Sequence, residues 1–64
     1  MRMTEFWERI ETRFGARYAD SVARDQALRE LDGLTAIQAL EAGWTAKAVW
    51  RAVCEAYEIP ARDR

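Results

Sequence analysis

Few side chains in this sequence are equipped for chemistry. There is one thiol, Cys54, one serine, Ser21, and no histidine. Without an imidazole, His-based nucleophile activation and His-containing metal sites are excluded. Cys54 would be reactive only beside a base or a cation. Arg51, three residues earlier, falls on the outward side of a helical wheel, while Trp50 and Tyr57 bracket the thiol on its apolar side. The expected role of Cys54 is therefore that of a small, half-buried hydrophobe. Glu5, Glu8 and Glu11 lie close together at helical spacing, but a hard-cation cage needs oxygens converging from several directions, and a solvated helix face accounts for them. Ser21 has no identifiable base partner, and no Gly-rich phosphate loop is present. No catalytic, cofactor-binding or metal-ligating residue is expected, and the chain reads as a non-enzyme.

Binding residues are a different matter. The stretch "LTAIQALEAGWTAKAVW", residues 34–50, joins two apolar-periodic runs at Gly43 and starts the second with Thr45. That is the outline of a helix-turn-helix, whose second helix reads base edges through its first side chains. Base reading wants Arg, Lys, Asn or Gln there; this chain offers Lys47 and Arg51, with Arg13 and Arg17 as further candidate nucleic-acid contacts. Strong phosphate anchoring takes several basic contacts, roughly 6 to 10. Acids are interspersed with these few cations, so nucleic acid is the weaker expectation and a capped helical hairpin the stronger. Trp44, in the turn, is a candidate protein-partner contact because Trp is enriched at interface hot spots. The competing explanation is a hydrophobic staple, since Trp44 and Val49 stand at N′ and N4 around the Thr45 cap.

Composition narrows the field further. At 64 residues the chain is one domain at most. Half of the residues are hydrophobic and a third charged, an ordinary globular mixture. Ten basic and eleven acidic residues give a net charge of −1, and neither half of the chain is basic. No electrostatic case for a polyanion partner exists at the level of the whole chain. No apolar run approaches the ~18 residues of a membrane span, and the early Glu5 with no continuous apolar segment argues against a secretory signal. A lone cysteine fits a reducing cytosol. Seven aromatic residues are hard to hide in so small a body, so exposed aromatic surface, and with it self-association or an unknown protein partner, is expected.

Glycines 15, 33 and 43 and Pro60 punctuate the elements that must position these residues. The first helix is expected from a Thr4 N-cap to Phe14, with Met3, Phe6, Trp7, Ile10 and Phe14 forming its apolar stripe and Gly15 supplying a left-handed C′ position. The second runs from about Ala16, with Tyr18 and Val22 beside Ala19 and Ala23. It is expected to continue to about Leu28, and residues 26–32 are ambiguous between helix and loop. Thr35 and Gln38 form a capping box for the third helix, which Gly43 stops. Thr45 caps the fourth, and Ile59-Pro60 closes it. No window alternates with period two, so no strand is expected.

The stretches "TEFWERIETRFG" (4–15), "YADSVARD" (18–25), "ALEAG" (39–43) and "VWRAVCEAYEIP" (49–60) resemble a family of small actinobacterial proteins, domain of unknown function 3046, over nearly the whole chain. The resemblance implies no activity, cofactor or catalytic residue. Family members often lie near genes for the main recombinase and its regulator, which implies an association with DNA repair or its regulation. Many members carry His where this chain has Gln26, which speaks against an essential acid–base role at that position.

The reading that results is an all-α, compact bundle of three to four short helices with a helix-turn-helix-like C-terminal hairpin. It forms a single helical domain over 1–60 with a short charged tail at 61–64. The expected core is Phe6, Trp7, Ile10, Phe14, Tyr18, Val22, Leu28, Leu31, Ile37, Leu40, Val49, Trp50 and Val53. The expected function is that of a cytoplasmic protein-interaction or regulatory module, without cofactor or membrane association. The alternative is a weak nucleic-acid-associated regulator linked to DNA repair or recombination.

Overall fold

A single glycine separates the first two helices. In the computed structural model, which describes residues Met1–Arg64, α1 spans Met3–Phe14 and α2 spans Ala16–Asp25. Gly15 lies between them at φ 86° and ψ 146°, a conformation essentially reserved for glycine. This is not the left-handed C′ geometry expected of it. Its N–H closes α1 on the Glu11 carbonyl at 2.7 Å, while its own carbonyl accepts from Tyr18 and Ala19 to start α2. The N-terminus also differs from expectation. Arg2, not Thr4, is the extended N-cap residue and offers no side-chain cap. The first turn closes when the Phe6 N–H donates to the Arg2 carbonyl at 3.0 Å, which places Thr4 inside the helix.

The ambiguous stretch is not helical. α2 ends at Asp25, and Gln26 is extended. Ala27–Leu28 (β1) pairs antiparallel with Leu34–Thr35 (β2), with Ala27 opposite Thr35 and Leu28 opposite Leu34. The turn between them contains a short 3-10 segment, Arg29–Leu31, and a left-handed Asp32. Both the expected helix to Leu28 and the expected absence of strands are thereby corrected. The cause lies in the periodicity of α2, which buries Ala19 and Ala23. Continued in helical register, that face would bury Ala27 and Glu30 and leave Leu28 and Leu31 to the side. Breaking at Gln26 buries Leu28 and Leu31 instead, to 9% and 0% exposure. Two strands of two residues each are too short to show period two in sequence.

α3 (Ala36–Glu41) and α4 (Ala46–Ala56) form the C-terminal hairpin. The Gln38 N–H donates to Thr35 Oγ1 at 3.1 Å and the Thr35 N–H to Gln38 Oε1 at 2.9 Å, completing the capping box. The Ala48 N–H donates to Thr45 Oγ1 at 3.0 Å at the start of α4. α3 ends in a paired Schellman closure: the Trp44 N–H reaches the Ala39 carbonyl and the Gly43 N–H the Leu40 carbonyl. α4 ends the same way, with the Ile59 N–H on the Cys54 carbonyl and the Glu58 N–H on Glu55. There the positive φ falls on Glu58, at 51°. The chain then passes Pro60 into a final 3-10 turn, Ala61–Asp63.

The elements surround one apolar cluster. Phe6 and Ile10 of α1 meet Leu31, Ala36, Ala39, Val49, Val53, Cys54 and Ile59 there. Of the expected core, Trp7, Phe14, Ile37 and Leu40 are half-buried around it. Val22 is half-buried and Tyr18 is 61% exposed. α2 turns its alanines inward, because it is packed against both α1 and α3 and small side chains let the backbones approach. Ile59 is buried to 1%, so the core extends past the last long helix.

Candidate binding face

Two helices and the final turn present cations on one side of the molecule. On α1, Arg9 and Arg13 stand one turn apart; on α4, so do Lys47 and Arg51. All four are exposed while Phe6, Ile10, Val49, Trp50 and Val53 of the same helices face the core. The amphipathic pattern that packs α1 on α4 is what directs the charges outward.

Arg62 and Arg64 reach this face because the last turn is tied down. Ile59 anchors the chain in the core. Trp50 Nε1 donates to the Arg64 carbonyl at 3.2 Å, and Arg9 Nη1 donates to the same oxygen. Arg64 Nε in turn donates to the Ile59 carbonyl at 2.8 Å. The result is a pair of adjoining surface depressions. One is lined by Arg9, Arg13, Arg62 and Arg64 with Thr12, Glu8 and Asp63, and has no hydrophobic lining. The other is lined by Arg9, Lys47, Arg51 and Arg64 with Met1, Glu5, Trp50 and Cys54. Arg9 and Arg64 belong to both.

No Asp or Glu side chain is paired with the cations of this face. The only ion pair within 4.0 Å in the protein joins Arg24 to Asp20 on α2, at 2.7 Å. That side-chain hydrogen bond, reinforced by the Asp20 charge, holds the Arg24 guanidinium above its ordinary pKa. Six basic side chains therefore converge, with Glu5, Glu8 and Asp63 the carboxylates among them. A protein of net charge −1 has gathered more than half of its ten cations here, so its charge is strongly asymmetric.

Of the candidates named from sequence, Lys47 and Arg51 line one of these depressions and Arg13 the other. Arg17 lines neither: it lies on α2, with its guanidinium carbon 6.0 Å from the Tyr18 ring centre. Trp44 is half-buried and packs against the core beside the α3 closure. The exposed aromatic surface is made instead by Tyr18 and Tyr57 near Phe14 and Val22, with Phe14 and Tyr57 in an edge-to-face contact at 4.9 Å. Arg62 and Arg64 were not singled out by sequence reasoning. Nothing in their spacing indicates that they dock, and only the burial of Ile59 would have suggested it.

Cys54 is more buried than expected, at 1% exposure. Burial pushes its thiol pKa up, against an opposing pull from Arg64 and Arg9. A thiol with so little exposed surface and a raised pKa is a poor nucleophile. No group of three or more Cys, Asp or Glu side chains is gathered so as to hold a metal ion. No helix is long and apolar enough to cross a membrane.

Fold and face together define a small, mainly helical protein whose distinctive chemical feature is an open cationic surface. The family model described as a protein of unknown function, DUF3046, matches residues 1–62, and the chain belongs to that family. No curated protein and no solved structure matches it.

Proposed function

We propose that this protein is a cytoplasmic interaction module that binds an acidic surface of another protein through the face built by α1, α4 and the final turn. The observation that carries this reading is the convergence of Arg9, Arg13, Lys47, Arg51, Arg62 and Arg64 with no Asp or Glu side chain paired to any of them. Unpaired surface cations confined to one face steer and orient an oppositely charged partner. The three carboxylates interleaved with them favour a protein over a nucleic acid. A protein surface can match a mosaic of charge, whereas a duplex presents unbroken negative charge about every 1.7 Å along its axis. A binding role also suits the lone thiol, which is buried and whose pKa burial raises. That lone thiol also suits a reducing compartment.

Titration of the isotope-labelled chain with a short Asp/Glu-rich peptide tests the proposal. The expected result is salt-sensitive binding, with shifts at Arg9, Arg13, Lys47, Arg51, Arg62 and Arg64, abolished by Arg9→Glu/Arg51→Glu. Absence of binding at low salt would overturn it.

A second reading has one observation in its favour. Lys47 and Arg51 project from the first half of α4, the second helix of a hairpin with helix-turn-helix spacing. A weak nucleic-acid-associated regulator of DNA repair or recombination would use them together with Arg13. It predicts a duplex-DNA mobility shift that is lost with Lys47→Glu/Arg51→Glu and has a shallow salt slope, since few phosphates are contacted.

A further inference from the structure

We infer that the depression lined by Arg9, Arg13, Arg62 and Arg64 is a receptor for a phosphomonoester dianion carried on a side chain of the partner protein. The inference rests on the cationic-face reading above and names the group that face takes.

The basic residues of this depression are all arginines, and no apolar side chain lines it. A guanidinium presents a planar fork of donors that matches the oxygens of a phosphate two at a time, whereas an ammonium acts as a point charge. Two of the four are already held in place. Arg9 donates to the Arg64 main-chain oxygen, and Arg64 Nε donates to the Ile59 carbonyl. Each spends one of its five donors on that tie and keeps the rest. Arg13 and Arg62 are exposed and free of any ion pair, and the Thr12 hydroxyl adds a neutral donor to the same lining.

Glu8 and Asp63 at the same depression decide between ligands. They offset part of the attraction for a group that carries a single negative charge, such as one carboxylate. A compact group with about two negative charges and three acceptor oxygens still gains from four guanidiniums. Every lining residue is solvent-exposed, so the depression cannot enclose a free metabolite as small-molecule pockets do. It suits instead a group delivered on a polypeptide whose remaining contacts fall on the neighbouring surface with Lys47 and Arg51.

The test uses the full chain and one short, otherwise neutral peptide carrying phosphoserine, serine or glutamate at its centre, with inorganic phosphate and a short DNA duplex as separate titrants. The phosphoserine peptide is expected to bind at least about tenfold more tightly than the glutamate form, equivalent to about 1.4 kcal/mol. It should shift Thr12, Arg13 and Arg62, and weaken as pH falls through about 6, where the phosphate loses its second charge. Arg13→Gln/Arg62→Gln should abolish the preference for phosphoserine, and Arg17→Gln should leave it unchanged. Equal binding of the glutamate and phosphoserine peptides would overturn this inference while leaving the acidic-partner reading intact. Inorganic phosphate binding as tightly as the phosphopeptide, or DNA binding more tightly than either, would also overturn it. Failure of every titrant, the Asp/Glu-rich peptide included, would remove both.

Discussion

Trp50 and Arg64 are joined across fourteen residues by a 3.2 Å hydrogen bond from the indole Nε1 to the main-chain carbonyl. That oxygen also accepts from Arg9, so α4, the final turn and α1 meet at one atom. Trp50→Phe keeps an aromatic ring in the core and deletes the indole donor. It should cost about 1–2 kcal/mol, the hydrogen bond and some packing together. The Asp63 and Arg64 amides, which close the final turn on Pro60 and Ala61, should exchange faster with solvent. Urea unfolding and native-state hydrogen exchange read the two effects. Unchanged exchange at these amides would mean that the indole does not hold the turn.

The two threonine caps should differ in worth. Thr35 is buried to 9% and is engaged in two reciprocal hydrogen bonds with Gln38, whereas Thr45 is exposed and accepts only one bond, from Ala48. Thr35→Ala should cost nearer 2 kcal/mol and Thr45→Ala nearer 1, within the usual range of about 0.5–2 for N-cap removal. Chemical denaturation of the two variants side by side decides the order.

On α2 the small residues should matter more than the large ones. Ala23 is fully buried and Tyr18 is 61% exposed. Ala23→Leu should destabilise by about 1–3 kcal/mol or more through overpacking. Tyr18→Ala should change stability by no more than about 0.5 kcal/mol, as exposed substitutions usually do. A larger loss from the tyrosine than from the alanine would mean that α2 packs in another register. Sedimentation over a concentration series applies to the same tyrosine: if the Tyr18–Tyr57 surface mediates self-association, Tyr18→Ala shifts the chain towards monomer.

Glu58 adopts φ 51° without being glycine, at the left-handed position of the α4 closure. Left-handed geometry costs an ordinary residue about 1–2 kcal/mol, and glycine returns part of that as backbone entropy. Glu58→Gly should therefore raise stability by roughly 0.5 kcal/mol, seen as a higher denaturation midpoint with an unchanged slope.

Stability should fall in mild alkali because of Cys54. Its folded pKa is raised by burial, so the folded thiol stays protonated while an unfolded thiol ionises from about 8.5. Above that pH the unfolded state binds fewer protons than the folded one, and stability drops as pH rises towards the folded pKa. Cys54→Ala should be less stable at pH 7 because of the lost side-chain volume, but its stability should decline less between pH 8 and 10. Parallel declines for the two proteins would remove the thiol as the cause.

The elements with local physical signals were the ones readable from sequence. The Thr35–Gln38 capping box, the Thr45 cap and the Gly43 stop satisfy orphan backbone groups through residues within a turn of one another, and all appear in the structure. The α1 stripe of Phe6 and Ile10 likewise needs only helical periodicity. What escaped depends on distant partners. The break at Gln26 follows from where Leu28 and Leu31 can be buried, and the inward face of α2 from how closely it meets α1 and α3. Lys47, Arg51 and Arg13 could be picked out by residue type. Their company of Arg62 and Arg64 could not, because it is created by a tryptophan, a buried isoleucine and main-chain oxygens acting together.

Because Arg62 and Arg64 lie beyond Ile59, the last buried side chain, two of the six basic residues of the cationic face hang on a segment that contributes nothing to the interior. A peptidase that nicks the chain after Pro60 would remove both arginines and the carbonyl to which Arg9 is tied, yet leave all four helices and their shared interior in place. Trimming at this point would thin the cationic face from six basic residues to four without removing a buried side chain.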